Sequence, residues 1–377
     1  MVANGVSKRR IKWSYATHVL PDLPATGLDL DGRLGRLTES PNANDVIVAE
    51  VLELGRHKKI ELPCKRPSTL FLGDLVGMAY GYRYATRQFE GTVPAGHEPC
   101  HMLCIGGVCG EVVGMASEME PPTILRSLGY LLDSSGQRVN LQTHGIKLNG
   151  APYAGAKIIL VVGSSMDSGK TTAAYSVVHG LTQAGARVCA AKLTGTASAK
   201  DPIIMEDAGA IKVLDFTDLG HASTAMCSRE QLWNIVNVTR SQLAAFRPDY
   251  IVLEVADGIV QRETLMLLEL FQAHNNIDYV IYTCNDSLGV ASGVNRLRQQ
   301  EFNVAAVSGW VGCSPLAAHE AQMQTDVPVL RPEDLREPDV IRLFAKTGAK
   351  SRASEGDGVI LTFPTPLAGP DLAMGSG

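Results

Sequence analysis

The chain has 377 residues, of which 45% are apolar and 19% are charged, with a formal net charge of −5 and a sequence pI near 6.0. This composition indicates a globular protein long enough for two domains, and it argues against a nucleic-acid partner, which would require a basic surface. There is no run of eighteen apolar residues and the eight cysteines are scattered, so we expect no membrane span and a reduced, cytoplasmic protein.

The first 150 residues predict an N-terminal arm followed by a β-rich domain. Residues 1–40 are mixed and punctuated by prolines, and we assign them to the arm. Residues 41–150 contain short β-rich runs separated by Gly, Asp and Ser turns, with no long amphipathic helix between them. The turn Gly55-Arg56-His57 predicts a hairpin between two of these runs. We therefore expect a small barrel or sandwich.

Two side-chain clusters in the β-rich region each have two interpretations. Residues 96–109 bring two histidines close to three cysteines, but their spacing favours buried strand cysteines over a zinc site. Residues 77–91 mix tyrosines with Arg83 and Arg87, a pattern that suits base stacking or a packed barrel face. Without a wider basic surface, we favour the packed face or a domain interface.

From residue 151 onward, apolar strands alternate with helical patterns. This alternation predicts an α/β domain at 151–349 with a mostly parallel sheet and flanking helices. Residues 350–377 are rich in Gly, Ser and Pro, and we expect a flexible tail. The predicted strands are 157–162, 187–192, 249–254, 279–284 and 304–310, and the predicted helices are 169–184, 228–246, 261–274 and 287–300.

The stretch VVGSSMDSGKTT follows the first of these strands and opens the first helix. A loop in this position presents backbone N–H groups and a helix N-terminus to phosphates. Lys170 would then reach the β- and γ-phosphates, and the hydroxyl of Thr171 would bind Mg²⁺. The nucleotide-binding residues that we expect are Gly163, Ser164, Ser165, Met166, Asp167, Ser168, Gly169, Lys170, Thr171 and Thr172.

The two glycines of this loop, Gly163 and Gly169, are separated by five residues, where the usual phosphate-binding loop has four. In this spacing and in its acidic residue Asp167, the loop resembles that of dethiobiotin synthetase and its relatives, a class that includes cobyrinate-type amidoligases. The resemblance covers about residues 155–335 and none of the β-rich domain. It implies a P-loop NTPase fold with ATP and Mg²⁺ as cofactors.

Three later segments extend the resemblance. RVCAAK ends in Lys192, VLEV contains Glu254, and YTCNDS contains Asn285. The resemblance implies that Lys170, Lys192 and Asp167 are catalytic and that Asn285 lies near the adenine. The chain departs from the family at Leu193, where the family has proline, and in the turn after Glu254, which is less rich in glycine. The substrate of that family is therefore not expected to be the substrate of this chain.

The magnesium site implied by the resemblance consists of Thr171, Glu254 and a carboxylate from the segment 200–224. Asp207 is the best match by the number of residues that separate it from Lys192 in the sequence. The alternatives are Asp215 and Asp218, and the segment also holds Asp201, Glu206 and His221, the last a candidate acceptor-binding residue or base.

These features favour an ATP- and Mg²⁺-dependent enzyme that activates a small-molecule acceptor by phosphoryl transfer, as a ligase or a kinase. A regulatory or chaperone-like NTPase switch is the first alternative and a polynucleotide 5′-kinase is the second. The guanine motif Asn-Lys-x-Asp is absent, since the corresponding residues are Cys284-Asn285-Asp286-Ser287. We further expect a homodimer or a higher homo-oligomer.

Overall fold

A computed structural model describes residues 8–150 and 155–344 of the chain. The predicted tail 350–377 and the predicted domain junction near 151 lie outside these residues. The described part of the predicted arm contains strand β1 (Ile11–Trp13), two short 3₁₀ helices at Tyr15–Thr17 and Gly27–Leu30, and strand β2 (Leu34–Gly35).

The N-terminal region is a small β-barrel. Strands β6, β3, β11, β9 and β10 pair in that order, and β10 also pairs with β6, so the pairings close into a ring. Strands β1, β2 and β8 pair with strands of this ring, and β7 pairs with β8. Strands β4 and β5 form a separate two-stranded sheet. The strands are β1 (Ile11–Trp13), β2 (Leu34–Gly35), β3 (Val46–Glu53), β4 (Lys59–Glu61), β5 (Pro67–Thr69), β6 (Leu75–Tyr80), β7 (Arg83–Tyr84), β8 (Phe89–Thr92), β9 (Cys100–Met102), β10 (Val108–Met115) and β11 (Thr123–Leu131).

Strand β3 is buried along residues 46–51, and its alternate side chains point to opposite sides of the strand. In β3, Ile47 and Ala49 belong to one buried cluster, while Val46 and Val48 belong to another. The second cluster also contains residues of the arm and of the region beyond residue 155. Cys100 in β9 and Cys109 in β10 are buried strand cysteines, as expected, whereas Cys104 is buried in the turn between these two strands.

The predicted hairpin at Gly55-Arg56-His57 is wrong. Strand β4 pairs with β5, while β3 pairs with β6 and β11. Instead of turning back along β3, the chain is held against β11. The amide of Gly55 donates to Oγ1 of Thr123 (3.0 Å), and that hydroxyl donates to the carbonyl of His57 (2.8 Å). Sequence alone does not show this long-range contact.

The second region contains a six-stranded parallel sheet in the order β14-β13-β15-β12-β16-β17. Its strands are β12 (Lys157–Gly163), β13 (Val188–Lys192), β14 (Lys212–Asp215), β15 (Tyr250–Glu254), β16 (Tyr279–Thr283) and β17 (Val304–Ser308). The helices are α1 (Leu141–His144), α2 (Lys170–Gln183), α3 (Lys200–Asp207), α4 (Arg229–Ala244), α5 (Arg262–His274), α6 (Ser287–Gln299), α7 (Trp310–Cys313) and α8 (Pro315–Gln322). Two 3₁₀ helices follow, at Asp334–Arg336 and Pro338–Phe344.

Helices cover both faces of this sheet, which explains its continuous apolar strands. In β12, Ile158, Leu160 and Val162 face one core cluster, and Ile159 and Val161 face the other. The five predicted strands and four predicted helices of this region are confirmed, as is the mostly parallel sheet. Sequence analysis did not identify α3 and β14, because both are short and carry many polar residues.

The barrel packs directly against the segment that follows β13. Ala197, Ala199 and Ala222 belong to the buried cluster that the barrel and the arm share. The amide of Ala199 donates to the carboxylate of Glu61, and the amide of Ala222 donates to the side chain of Asn44, both at 2.8 Å. These contacts place the barrel beside the carboxyl end of β13. No helix among the described residues is both long enough and apolar enough to cross a membrane.

Candidate functional site

A cavity of about 1030 Å³ lies between the barrel and the carboxyl ends of the parallel strands. Open α/β sheets bind their ligands at this edge. The loop before α2 forms part of one wall, together with residues that follow β13 and β15. The barrel forms the opposite wall, which includes Arg56, His57 and Arg83.

The loop between β12 and α2 is shaped by its two glycines. A Cβ atom at Gly163 would lie 2.1 Å from Oγ of Ser168 and 2.5 Å from Oγ1 of Thr283, so a side chain does not fit. Gly169 has a φ of 94°, a left-handed conformation that glycine adopts without strain. The amide of Ser164 donates to the carbonyl of Thr283 (2.8 Å), which holds the loop against β16. In this strand, loop and helix, a loop bounded by two glycines opens directly into a helix N-terminus, where backbone N–H groups favour anions.

Lys170 lies in the first turn of α2 and is buried, with Nζ donating to the carbonyl of Ser165 (2.7 Å). Burial lowers the pKa of Lys170 to about 8, although the charge of Glu254 opposes this shift. A buried ammonium with few counter-charges binds anions strongly, because an anion restores the favourable interactions that desolvation removed. Lys170 is therefore placed to bind phosphate at the mouth of the loop.

Thr171 and Glu254 meet beside the loop, with Oγ1 of Thr171 donating to Oε1 of Glu254 (2.8 Å). Nζ of Lys192 lies 3.6 Å from the same oxygen and also pairs with Asp201. Burial raises the pKa of Glu254, although the positive charge of Lys192 opposes this shift. The pKa of Lys192 is also raised, because the negative charges of Asp201 and Glu254 outweigh the effect of its burial. The structure thus brings together three of the residues expected to act on phosphate and metal.

The second carboxylate oxygen of Glu254, Oε2, is buried and has no hydrogen-bond partner. A free carboxylate oxygen beside a threonine hydroxyl fits Mg²⁺, which takes oxygen ligands and completes its octahedron with water and phosphate. No group of three or more His, Cys, Asp or Glu residues with metal-binding geometry occurs among residues 8–150 and 155–344. An ion at this site would therefore depend on phosphate and water for most of its ligands.

The structure does not bring Asp207 to the loop. This residue lies at the C-terminal end of α3, exposed and outside the cavity wall, whereas Asp201 at the start of the same helix lines the cavity. Asp215 instead accepts a hydrogen bond from the hydroxyl of Tyr15 (3.1 Å), and Asp218 contacts His18 (3.1 Å). Both belong to the contact between the arm and the sheet. Sequence distance alone could not assign which carboxylate faces inward.

The remaining predicted residues lie around the loop. Asp167 is exposed at the rim of the cavity, with one carboxylate oxygen 3.9 Å from Arg87 of the barrel. Asn285 lies beneath the loop, where Nδ2 donates to Oγ of Ser165 (3.2 Å). His221 is buried near Gln142 and away from the cavity wall, and burial lowers its pKa to about 4.

Sequence reasoning did not select Asp257, which lines the cavity three residues after the end of β15. Its φ of 60° lies in the left-handed region, which aspartate adopts more readily than most residues with a side chain. Burial raises the pKa of Asp257 to about 6, although the charges of Lys170 and Lys192 oppose the shift. Asp257 is thus a carboxylate that ionises close to neutral pH. The only sequence signal was its presence in place of glycine after Glu254.

We expect the Asp257→Asn variant to be more stable than the wild type above pH 6, by on the order of 2 kcal/mol. In the wild type the folded pKa of about 6 exceeds the ordinary value of 3.8, so ionising Asp257 destabilises the fold as the pH rises through this range. The difference should vanish below pH 4, where the carboxyl is protonated in both states. Urea unfolding of both proteins between pH 4 and 8 measures the difference in their free energies of unfolding. Equal stabilities at pH 8 would contradict this assignment.

Trp310 was also missed. It lies at the rim of the cavity just after β17, 61% exposed, and its Nε1 donates to the carbonyl of Asp167 (2.8 Å). An exposed indole fixed to the loop offers a flat apolar surface for stacking. The sequence places it only at the end of an apolar strand, which gives no indication of this position.

No family model matches the chain, and no curated protein matches it. Among solved structures it is similar to the signal recognition particle receptor FtsY from Elizabethkingia anophelis, with 17% identity over 51% of this chain and 67% of that chain, at a TM-score of 0.33. The same receptor in complex with GDP gives 14% identity over 55% and 69%, at a TM-score of 0.34.

Proposed function

We propose that the chain is an ATP- and Mg²⁺-dependent enzyme that transfers a phosphoryl group to a small-molecule acceptor, as its resemblance to the dethiobiotin synthetase class implies. One observation supports this most strongly. The loop with Lys170 and the Thr171–Glu254 pair opens into a cavity whose opposite wall belongs to the barrel. Ligand pockets commonly measure roughly 300–1,000 Å³, so this one has room for a nucleotide and a small second molecule.

Each residue of the loop wall then has a role in the transfer. Lys170, Lys192 and the loop amides bind the transferred phosphoryl group. Thr171 and Glu254 would hold Mg²⁺, and the ion would neutralise charge on the phosphates. An oxygen of the acceptor forms a bond to the γ-phosphorus, the bond from that phosphorus to the bridging oxygen breaks, and ADP leaves. If the acceptor oxygen belongs to a hydroxyl, ionised Asp257 accepts its proton; a carboxylate acceptor has none to give up.

Adenine is the proposed base. Ser287, which corresponds to the aspartate of the guanine motif, carries no carboxylate, and the neighbouring Asp286 caps α6 by accepting from the amide of Gly289 (2.8 Å). Trp310 supplies a stacking surface at the rim of the same cavity. Stacking tolerates either purine, so the preference for ATP rests on the missing guanine-reading carboxylate.

We expect slow hydrolysis of ATP by the protein alone and a rise of about 10³-fold or more when the acceptor is added, because a positioned nucleophile replaces water. ADP release is measured with MgATP and MgGTP, alone and with panels of small carboxylic acids, alcohols and amines. ATP should be at least about tenfold better than GTP, a difference of about 1.4 kcal/mol.

The panels include two comparators from other functional classes. Stimulation only by a protein partner would favour an NTPase switch, and stimulation only by an oligonucleotide with a 5′-hydroxyl would favour a polynucleotide kinase. Either result would contradict the proposed function and support the corresponding alternative.

A further inference from the structure

Arg83 lies on the barrel wall of the cavity and is buried, with 8% of its surface exposed. It sits in the short strand β7, which pairs only with β8 on this side of the barrel. Burying a guanidinium is costly unless an anion compensates its charge. Within the described residues, Arg83 has no ion pair with any carboxylate at 4.0 Å or less.

The hydrogen bonds of Arg83 are also incomplete. A guanidinium has five N–H donors, and one of them donates to Oε1 of Gln88 (2.6 Å). Nε is buried and has no partner. Nη1 lies 3.3 Å from Nε2 of His57, but that nitrogen also lies 3.0 Å from the carbonyl of Leu103. Only a protonated Nε2 can donate to a carbonyl, so the His57 tautomer that makes the bond to Leu103 has no lone pair on Nε2 for Arg83.

The charges around the cavity are divided between its two walls. All the acidic residues that line it belong to the parallel-sheet region, and the barrel wall has three arginines and no Asp or Glu. Of those arginines, Arg87 is exposed and close to Asp167, and Arg56 is exposed. The barrel therefore presents one buried cation to the cavity. Its charge interacts with Asp257 across the cavity, but no carboxylate of the described residues lies within 4.0 Å of it.

We propose that the acceptor is a carboxylic acid whose carboxylate is bound by Arg83, an inference that rests on the proposed phosphoryl transfer. The planar guanidinium fork matches the two oxygens of a carboxylate. A single buried positive charge is balanced by a single negative charge, which favours a carboxylate over a doubly charged phosphate. His57 stays neutral beside Arg83, since burial lowers its pKa to about 4, so the pair adds no second charge.

The test compares the full-length wild type with Arg83→Gln, and uses Arg66→Gln as a matched control because Arg66 is an exposed arginine away from the cavity. The probes are acetate, succinate and glutarate, their neutral amides, and inorganic phosphate, at constant ionic strength. Unfolding temperature and calorimetric Kd are measured with and without MgADP. MgADP binding by each variant checks that its loop is folded.

We expect the acids, and not the amides, to stabilise the wild type and Arg66→Gln, with Kd weakened about 10- to 100-fold in Arg83→Gln. Should Arg83→Gln fail to fold, Arg83→Lys replaces it, with an expected loss of about tenfold because lysine lacks the fork. The proposal is overturned if no acid binds, if amides bind equally, if binding survives the substitution, or if only phosphate binding is lost. Failure of MgADP to bind the wild type counts against the proposed function, while the comparison of acids with amides still decides the role of Arg83.

Discussion

Lys170→Ala is expected to reduce acceptor-stimulated ATP turnover by about 10²- to 10³-fold, the loss typical of removing one preorganised charge from a phosphoryl-transfer site. The ammonium of Lys170 is buried and donates only to the loop carbonyl of Ser165, so its removal takes away a phosphate-binding cation without breaking an ion pair. ADP release under saturating MgATP measures the effect.

The matched control is Lys212→Ala. Lys212 is exposed on β14 of the same sheet and does not line the cavity, so its removal should leave turnover within about twofold of the wild type. Circular dichroism and unfolding temperature establish that both variants are folded. A folded Lys170→Ala protein with undiminished turnover would show that this loop does not act on phosphate.

Glu254→Gln is expected to reduce turnover by a similar factor, about 10²- to 10³-fold, while weakening nucleotide binding much less. The amide oxygen of glutamine can still accept from the hydroxyl of Thr171, so the local hydrogen bond survives. What disappears is the negative charge and the second carboxylate oxygen, which has no other partner in the fold. Turnover and nucleotide Kd measured across a Mg²⁺ titration separate the two effects.

Glu269→Gln controls for charge removal in the same region, because Glu269 is an exposed residue on α5 that pairs with Arg229. It should retain the Mg²⁺ dependence of the wild type. If Glu254→Gln keeps full turnover with an unchanged Mg²⁺ requirement, the metal does not bind at Glu254.

The parallel sheet and its loop could be predicted because their signals are local. Continuous apolar runs such as Ile158–Val162 reveal a strand covered on both faces, and Gly163 and Gly169 mark the loop that follows. The same locality explains why the sequence could place Lys170 and Thr171 at the start of the helix that follows the loop.

The opposite wall of the cavity could not be predicted, because it depends on how the barrel packs against the sheet. Arg83 comes 87 positions before Lys170 in the sequence and appeared only as part of an aromatic and basic stretch. Its burial depends on contacts such as that of Glu61 with the amide of Ala199, which no local pattern shows. The inward-facing carboxylate was missed for a similar reason, since Asp201 and Asp207 lie on one helix and only its orientation separates them.

The fate of the γ-phosphoryl group tests the central claim most directly. The full-length protein is incubated with ATP labelled on its γ-phosphate, Mg²⁺ and the stimulating acceptor, and the label is followed among ATP, acceptor and inorganic phosphate. We predict a phosphorylated acceptor, or a product whose formation requires it, in amounts equal to the ADP released and absent with Lys170→Ala. Label that passes only to inorganic phosphate, at a rate that no acceptor changes, would contradict phosphoryl transfer.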